Sequence, residues 1–253
     1  MENKISLVDV ILPNYNKANF LEETIDSILN QSFKDFNLYI IDDFSKDDSL
    51  SIIKKYSDPR IKLIHLKKNK GVAFCRNLGI RVSRSKYISF IDSDDYWERD
   101  KLKKQIEFMK KFKHNFTYTD YTPFEIKNNK KKFMKKIIVP NKFSFREFIL
   151  NTSIAMSTVI LSRSVIKNSK FKNLKICEDY LFKCDILKKN DAYKLNENLI
   201  FYRISKNSLQ SNKFRNLFWV WKINKKFNNL SLFENIRSII SISINSLIKY
   251  GFK

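Results

Sequence analysis

Three aspartates that follow an apolar segment are the residues of this chain best suited to metal or phosphate chemistry. Residues 87–91 have the aromatic and β-branched content of a buried strand, and Asp92, Asp94 and Asp95 come directly after them. In an open α/β sheet, ligands bind at the carboxyl ends of the strands. Carboxylates there could hold a hard divalent cation that keeps its other positions for water and substrate phosphates. The alternative is an acidic turn in which Asp94 or Asp95 caps a helix that starts near Trp97, and this segment alone leaves both interpretations open.

The elements that must position these aspartates alternate between strand and helix patterns. Strands are expected at residues 7–12, 36–41, 61–66 and 87–91, and helices at 19–31, 45–56 and 72–83. This order predicts an α/β fold whose central sheet is mostly parallel and covered by helices on both faces, as in a Rossmann-like domain. Parallel strands would place Asp42 and Asp43, which end the second strand, on the same edge as Asp92 and Asp94. That coincidence favours a ligand site over a helix cap.

The second half of the chain has a looser pattern. Strands are expected at 118–123, 157–161 and 200–204, helices at 144–150 and 178–188, and a solvated loop or hairpin over the basic residues 127–136. Two further helical segments with aromatic and aliphatic stripes follow from residue 214. The last helix before them, 178–188, opens with two acidic residues in its first turn, where the helix dipole favours them.

Composition limits the classes of partner and compartment. The net charge of +23 calls for an anionic partner such as nucleic acid, anionic lipid or a phosphorylated substrate, although biased base composition in the source genome would also enrich lysine. The three cysteines form no Cys-x-x-Cys pair, which argues against a disulfide framework and for a reducing compartment. No apolar segment approaches the roughly 18 residues that a membrane span needs, and the first residues lack a signal peptide's apolar core. The protein is expected to be cytoplasmic, or peripheral on the inner face of the cytoplasmic membrane.

Five short motifs occur in a fixed order along the chain. They are LPNYN at 12–16, IDDFS at 41–45, NKGVAFCRN at 69–77, IDSDD at 91–95 and CEDY at 177–180. Together they resemble the family 2 glycosyltransferases, which have the GT-A fold, over roughly residues 5 to 210. The resemblance implies an inverting enzyme that transfers a sugar from a nucleotide donor, expected to be UDP-linked, to a glycan or lipid-linked acceptor. It also implies Mg²⁺ or Mn²⁺ as cofactor and a place in surface polysaccharide biosynthesis.

The resemblance assigns five residues to the nucleotide. Pro13 and Tyr15 match the loop that cradles the base, and Tyr15 could stack on its face. Asp43 matches the residue that hydrogen-bonds the base, and Arg76 matches a basic residue on the nucleotide side. Asp92 matches the ribose-facing member of the Asp-x-Asp pair. A turn position for Asp43 and a surface helix position for Arg76 are the structural alternatives.

The metal, the general base and the acceptor side are implied by the same resemblance. Asp94 matches the residue on the metal that grips the diphosphate, and Asp179 matches the general base that deprotonates the acceptor hydroxyl. Ser157 and Thr158 fall where relatives line the acceptor side, although both could be ordinary strand residues. Glu178, beside the base, is expected to be a first-turn helix acid.

One segment departs from the family pattern. Where many relatives carry Tyr-Arg-x-His, with the histidine helping to hold metal or diphosphate, this chain has Ser205. Lys206 is expected to meet the diphosphate instead, as a mobile positive charge. The chain's histidines, His65 and His114, lie elsewhere and are expected to be structural or exposed.

The domain organisation predicted from these motifs has two parts. Residues 1–210 form the catalytic domain, with a nucleotide-sugar half at 1–110 and an acceptor half at 111–210. Residues 211–253 form a helical basic-aromatic tail, which either packs on the domain or a second copy, or provides a surface for anionic membrane. A basic nucleic-acid module and a non-catalytic nucleotide-binding relative are the alternative functions. The first has no recognised motif and is opposed by the acidic strand ends, so no nucleic-acid partner is expected.

Overall fold

The first half of the chain alternates strands and helices in the expected order. The structure, a computed structural model, describes residues 5–167, 169–204 and 212–250. Its first elements are β1 (Val8–Asn14), α1 (Ala18–Leu29), β2 (Phe36–Asp42), α2 (Ser49–Lys54), β3 (Ile61–His65), α3 (Val72–Val82), β4 (Tyr87–Phe90), β5 (Tyr96–Trp97) and α4 (Lys101–Phe112). All seven residues of β1 are buried, which explains its nearly continuous apolar sequence, because helices cover both faces of a parallel sheet.

The second half adds antiparallel strands and the terminal helices. Its elements are β6 (Phe116–Lys127), β7 (Lys130–Phe133), β8 (Lys142–Phe143), α5 (Phe145–Phe148), a 3₁₀ turn (Met156–Thr158), β9 (Ile160–Ser162), α6 (Arg163–Ile166), α7 (Glu178–Leu187), β10 (Ala192–Arg203), α8 (Lys213–Lys226) and α9 (Leu232–Tyr250). The basic run expected as a loop or hairpin is the β6–β7 hairpin, whose turn residues Asn128 and Asn129 both have positive φ.

One sheet joins all of these strands. Its main order is β3-β2-β1-β4-β9-β6-β10-β5, with β7 on β6 and β8 on β10. The strands β3, β2, β1 and β4 are parallel to one another, and β6 is parallel to β10, while β9 runs antiparallel between the two groups. The mostly parallel α/β fold expected from the element order is therefore confirmed. The sheet runs unbroken from the 1–110 half into the 111–210 half, and the division into halves remains a prediction.

The segment after the three aspartates does not begin a helix near Trp97 as expected. Residues 96–97 form β5, which pairs antiparallel with β10, and the helix begins only at Lys101. Tyr96 stacks on Phe201 of β10 with ring centroids 4.6 Å apart, so a distant strand decides the conformation here. The interpretation of Asp94 or Asp95 as the cap of this helix is wrong, because the residue before the helix is Asp100.

Three other elements are shorter or longer than expected. The helix expected at 45–56 covers only Ser49–Lys54. The strand expected at 157–161 begins as a 3₁₀ turn and is a strand only at Ile160–Ser162. The strand expected at 200–204 is the end of the twelve-residue β10. Within the described residues, no helix combines the length and the apolar character that crossing a membrane requires.

Candidate active site

Asp42 links the carboxyl ends of three neighbouring strands. Its fully buried carboxylate accepts hydrogen bonds from Asn14 Nδ2 at 2.8 Å and from Ser45 Oγ at 2.5 Å, and it lies 2.8 Å from His65 Nδ1. These partners come from β1, the loop after β2, and β3. Because all of this carboxylate's contacts are internal, Asp42 fixes the geometry of the sheet edge. His65 is structural, as expected.

Asp43 ties the end of β2 to the start of α3. Its two carboxylate oxygens accept the backbone N–H groups of Lys70 at 2.7 Å and Gly71 at 2.8 Å, and its own N–H donates to Asn14 O at 2.8 Å. Gly71 has φ +84°, a backbone conformation that favours glycine. Only 3% of Asp43 is exposed, so it is held rigidly at the site edge. Its contact with a nucleotide base remains a prediction.

The two other residues assigned to the base differ in exposure. Pro13 lies inside β1, buried and opposite Ile41 in the strand register. Tyr15, one residue past the end of β1, is 47% exposed. A half-exposed aromatic ring at the carboxyl edge is available for stacking. Of this pair, Tyr15 is the residue that a base could meet directly, while Pro13 sets the exit of the strand.

Arg76 joins two carboxylates from opposite sides of the site. Its Nη2 donates to Asp92 Oδ1 at 2.7 Å and its Nη1 donates to Glu178 Oε1 at 2.8 Å. The side chain is buried, and its guanidinium lies 5.3 Å from the ring centroid of Phe171. Burial opposes its charge, but the Asp92 and Glu178 carboxylates outweigh burial and raise the pKa of Arg76. A surface position for Arg76 is wrong, and Glu178 is its ion-pair partner as well as a first-turn acid.

The three acids Asp92, Asp94 and Asp95 have separate environments. Asp92 faces Arg76, and Asp94 Oδ2 lies 2.5 Å from Lys17 Nζ. Asp95 is buried and accepts hydrogen bonds from Ser157 Oγ at 2.5 Å and from the backbone N–H of Arg203 at 2.9 Å. Burial, together with the charges of Asp94 and Asp92, raises the pKa of Asp95 well above its usual range. Asp92 and Asp94 are thus partly exposed and paired with cations, and their contact with ligands remains a prediction, whereas Asp95 supports the turn that these residues form.

These acids fit a hard cation that arrives with a diphosphate. Among the described residues, no group of three or more His, Cys, Asp or Glu side chains is arranged to hold a metal ion. However, the side chains of Asp92 and Asp94 remain 35% and 19% exposed, and each carboxylate faces a cation. Mg²⁺ is commonly bound through one or two carboxylates plus substrate phosphates, with water completing its shell. The donor set matches that arrangement and does not match a closed, all-protein metal site.

Asp179 lies in the first turn of α7 and pairs with a buried lysine. Lys183 Nζ donates to Asp179 Oδ2 at 2.8 Å and to Ile154 O at 2.7 Å, and only 3% of Lys183 is exposed. Burial raises the pKa of Asp179, but the charge and hydrogen bond of Lys183 and the charge of Arg76 outweigh it, so the net pKa is below its usual value. Asp179 is therefore ionised at neutral pH, which is the state that can accept a proton.

Ser157 and Thr158 are interior residues in this conformation. The Ser157 hydroxyl donates to Asp95 and accepts the backbone N–H of Asp92 at 3.1 Å. Thr158 Oγ1 donates to Ala155 O at 2.7 Å, and both residues are at most 1% exposed. Both hydroxyls are thus engaged within the protein. The contacts of Ser157 favour a structural role in supporting the turn at Asp92–Asp95, here called the aspartate turn, whereas Thr158 bonds to a neighbouring carbonyl. The acceptor-side assignment remains a prediction without structural support.

Sequence reasoning missed three cations of the site. Arg203 Nε donates to Asp94 O at 2.9 Å, and its guanidinium lies between the rings of Phe20 and Phe124, 4.4 and 4.5 Å from their centroids. Lys183 is four residues after Asp179, a helical spacing that could have revealed the pair. Lys17 is 77 residues from Asp94, so no local signal indicates that contact. Ser205 and Lys206 lie outside the described residues.

Comparison with known proteins identifies one family and two relatives of this chain. Residues 9–174 match the family described as Glycosyl transferase family 2. The chain is 31% identical to "Putative teichuronic acid biosynthesis glycosyltransferase TuaG" of Bacillus subtilis, over 98% of this chain and 99% of that protein. It is 34% identical to UDP-Glc:alpha-D-GlcNAc-diphosphoundecaprenol beta-1,3-glucosyltransferase WfgD of Escherichia coli, over 86% of this chain and 85% of that protein.

A solved structure supports the architecture. The mannosyltransferase PcManGT from Pyrobaculum calidifontis, in complex with GDP-Man and Mn²⁺, superposes with a TM-score of 0.69 and 14% sequence identity. The match covers 99% of this chain and 77% of that chain. At this identity the likeness shows the fold alone, and it agrees with the sheet and flanking helices described above.

Proposed function

We propose that this chain, which belongs to glycosyl transferase family 2 and is a glycosyltransferase of GT-A fold, transfers a sugar from a UDP-linked donor to a lipid-linked saccharide. The proposed setting is surface polysaccharide biosynthesis. One observation carries the assignment: Arg76 joins Asp92, at the donor side of the sheet edge, to Glu178, next to the ionised Asp179. In this proposal Arg76 lies between the carboxylates that would hold a metal for the diphosphate and the carboxylate that would take the acceptor's proton. The names of the two relatives support the donor, the acceptor class and the setting.

The donor is held by residues that follow β1, β2 and β4, and by one residue of α3. Tyr15 stacks on the base, Asp43 accepts a hydrogen bond from it, and Asp92 faces the ribose. Arg76 orients Asp92 through the hydrogen bond between them and keeps its own positive charge beside the nucleotide. Arg76 and Asp43 are buried and already hydrogen-bonded before the donor binds, which lowers the cost of ordering them.

The metal would be held by Asp94, with Asp92 beside it, and by the donor's diphosphate. Bound there, Mg²⁺ or Mn²⁺ neutralises charge that develops on the departing nucleoside diphosphate. The Mn²⁺ bound with GDP-Man in the mannosyltransferase supports this choice of cofactor. Lys17 adds a second positive charge next to Asp94.

Asp179 acts on the acceptor. A sugar hydroxyl is a poor nucleophile unless its proton is removed as it attacks, and the ionised Asp179 carboxylate takes that proton. Attack from the side opposite the leaving diphosphate is a single in-line displacement, so the configuration at the anomeric carbon is inverted. Lys183 fixes the carboxylate by its hydrogen bond and holds it ionised.

A screen of nucleotide sugars tests the proposed function. We expect UDP-sugars with Mn²⁺ to raise the melting temperature, because a ligand at about 100 times its Kd stabilises a protein by about 2.7 kcal/mol. We also expect the bound UDP-sugar to be slowly hydrolysed. The measurement is thermal unfolding and UDP release across a panel of nucleotide sugars, with and without Mn²⁺. Stabilisation by a short nucleic acid and by none of the nucleotide sugars would contradict the proposal.

Lys183→Met is expected to shift the pH dependence of transfer. Lys183 holds the pKa of Asp179 low, so its removal leaves burial as the main influence and raises that pKa. The acid limb of kcat/KM should move to higher pH, and below it the rate should fall about tenfold per pH unit, because only ionised Asp179 accepts a proton. The pH profile of kcat/KM checks this.

Lys188→Met is the matched control for that experiment. Lys188 follows the same helix, its side chain is 32% exposed, and it pairs with Asp185 rather than Asp179. Its replacement should leave the acid limb unchanged. If Lys183→Met lowers the rate equally at every pH, Lys183 only supports the packing of α7.

A further inference from the structure

Helix α9 differs from a normal surface helix, because most of its large apolar side chains are exposed while several polar ones face the domain. Its inward face adds polar side chains to Ile242, which is buried in the core. Ser238 Oγ donates to Ile149 O at 2.5 Å, Asn245 Nδ2 donates to Leu150 O at 3.1 Å, and Lys249 Nζ donates to Asn151 Oδ1 at 3.1 Å. A surface helix normally turns its apolar stripe to the core and its polar face to water. In α9 the hydrogen bonds to residues 149–151 hold these polar side chains against the domain, so most of the large apolar side chains face outward.

The outward face of α9 is apolar along most of its length. Five large side chains recur every three or four residues and are 43% to 76% exposed: Phe233, Ile236, Ile240, Ile244 and Ile248. Their span of 15 residues corresponds to roughly 22 Å of helix. Single exposed apolar residues are ordinary, but a continuous stripe marks an interaction surface.

The charge of the two terminal helices indicates the kind of partner. Between residues 212 and 250 there is one acid, Glu234, and the basic residues are Lys213, Arg215, Lys222, Lys225, Lys226 and Arg237, besides Lys249, which faces inward to Asn151. Helix α8 also exposes Phe214 and Phe218, and Lys222 Nζ lies 4.4 Å from the Phe218 ring centroid. An apolar stripe with basic and aromatic residues beside it is typical of helices that lie in the interface of an anionic bilayer. Two copies of the chain, by contrast, would bring like charges together.

The terminal helices also contact the segment that carries the proposed base. Tyr180 OH donates to Asn224 Oδ1 at 2.6 Å, and Cys177 Sγ lies 4.0 Å from Asn216 O. Tyr180 and Cys177 flank Asp179 in the sequence. Docking through α8 and α9 would therefore bring the base-bearing end of α7 close to a bilayer surface.

We propose that the outward face of α9, together with the basic-aromatic side of α8, docks flat on an anionic lipid bilayer and presents Asp179 to an acceptor at the bilayer surface. The position of the acceptor rests on the proposed function, whereas the docking itself does not. The 211–253 tail is then a membrane-docking element of the catalytic domain.

Vesicle sedimentation of the full chain tests the docking. We expect binding to phosphatidylcholine vesicles that contain phosphatidylglycerol, weak binding to phosphatidylcholine alone, and loss of binding in high salt, because salt screens surface attraction. The double variant Ile240→Asp with Ile244→Asp should reduce partitioning by at least about tenfold. Two apolar side chains that would enter the bilayer are lost, and two negative charges are gained. The matched control is Ile5→Asp with Ile126→Asp, which changes two exposed isoleucines elsewhere and should bind like the parent.

Two readouts keep the result specific. Circular dichroism should give the same melting temperature for parent and α9 variant, because the changed side chains are exposed. Equal vesicle binding by the α9 variant and the parent would overturn the docking proposal, and so would a solution dimer that the α9 variant dissociates. UDP-sugar hydrolysis without vesicles is measured in parallel: its absence, with vesicle binding intact, would count against the proposed function and leave the docking standing.

Discussion

Asp179→Asn is expected to lower the transfer rate by about 10²-fold or more, the usual scale for losing a general base, while leaving UDP affinity unchanged. Asparagine keeps the shape of the side chain and an oxygen that can accept the Lys183 hydrogen bond, but it does not take a proton at neutral pH. The expected loss is therefore confined to the chemical step. Steady-state kinetics with donor and acceptor, together with calorimetric titration of UDP and Mn²⁺, measures both quantities.

The matched control for this experiment is Asp185→Asn. Asp185 lies on the same helix, its side chain is 31% exposed, and it pairs with Lys188. We expect wild-type kinetics for this variant. A wild-type rate for Asp179→Asn would remove Asp179 from the chemistry, and unfolding of that variant would show that the carboxylate serves mainly to stabilise the start of α7.

Asp94→Asn is expected to weaken UDP binding by at least about tenfold when Mn²⁺ is present, and to change it little when Mn²⁺ is absent. An amide oxygen lacks the negative charge that a hard divalent cation prefers. The fold should be retained, because Asp94 and its partner Lys17 are both partly exposed at the sheet edge. Calorimetric titration with UDP, with and without Mn²⁺, separates the metal-dependent part of the affinity.

Asp35→Asn is a suitable control for the Asp94 variant. Asp35 is exposed and immediately precedes β2, away from the carboxyl ends of the strands. Its replacement changes the net charge equally and should leave both affinities unchanged. If Asp94→Asn binds UDP and Mn²⁺ as the parent does, the role of Asp94 is limited to its ion pair with Lys17.

Local sequence patterns predicted the sheet well. The strands that end at the site were recognised because burial on both faces demands a nearly continuous apolar sequence, as in β1. The two-residue strand β5 was missed because its conformation depends on pairing with Ile200 and Phe201, more than a hundred residues away. Periodicity cannot report such a contact.

In the candidate site, too, individual residues could be identified from the sequence, but most of their distant partners could not. The resemblance picked out Arg76 and Asp179. The partners of Arg76 were visible only once helices α3 and α7 had been placed in space, whereas the Asp179–Lys183 pair lies within one helix. Glu178 was expected to interact only with the dipole of its own helix, and its ion pair with Arg76 spans 102 residues. Ser157 was assigned to the acceptor side because of its place in the chain, whereas its hydroxyl is engaged by the aspartate turn.

The support of that turn by Arg203 has a consequence for how the chain folds during synthesis. The carboxylate of Asp95 and the carbonyl of Asp94 receive hydrogen bonds from Arg203, the last residue of β10. Parallel pairing between β6 and β10 is non-local, and non-local pairings form slowly. Ribosomes release the N-terminal strands first, so the Asp92–Asp95 segment must wait for more than a hundred further residues before its supports exist. Nascent chains that stop before residue 203 should therefore carry the apolar strands without a formed metal-and-diphosphate turn.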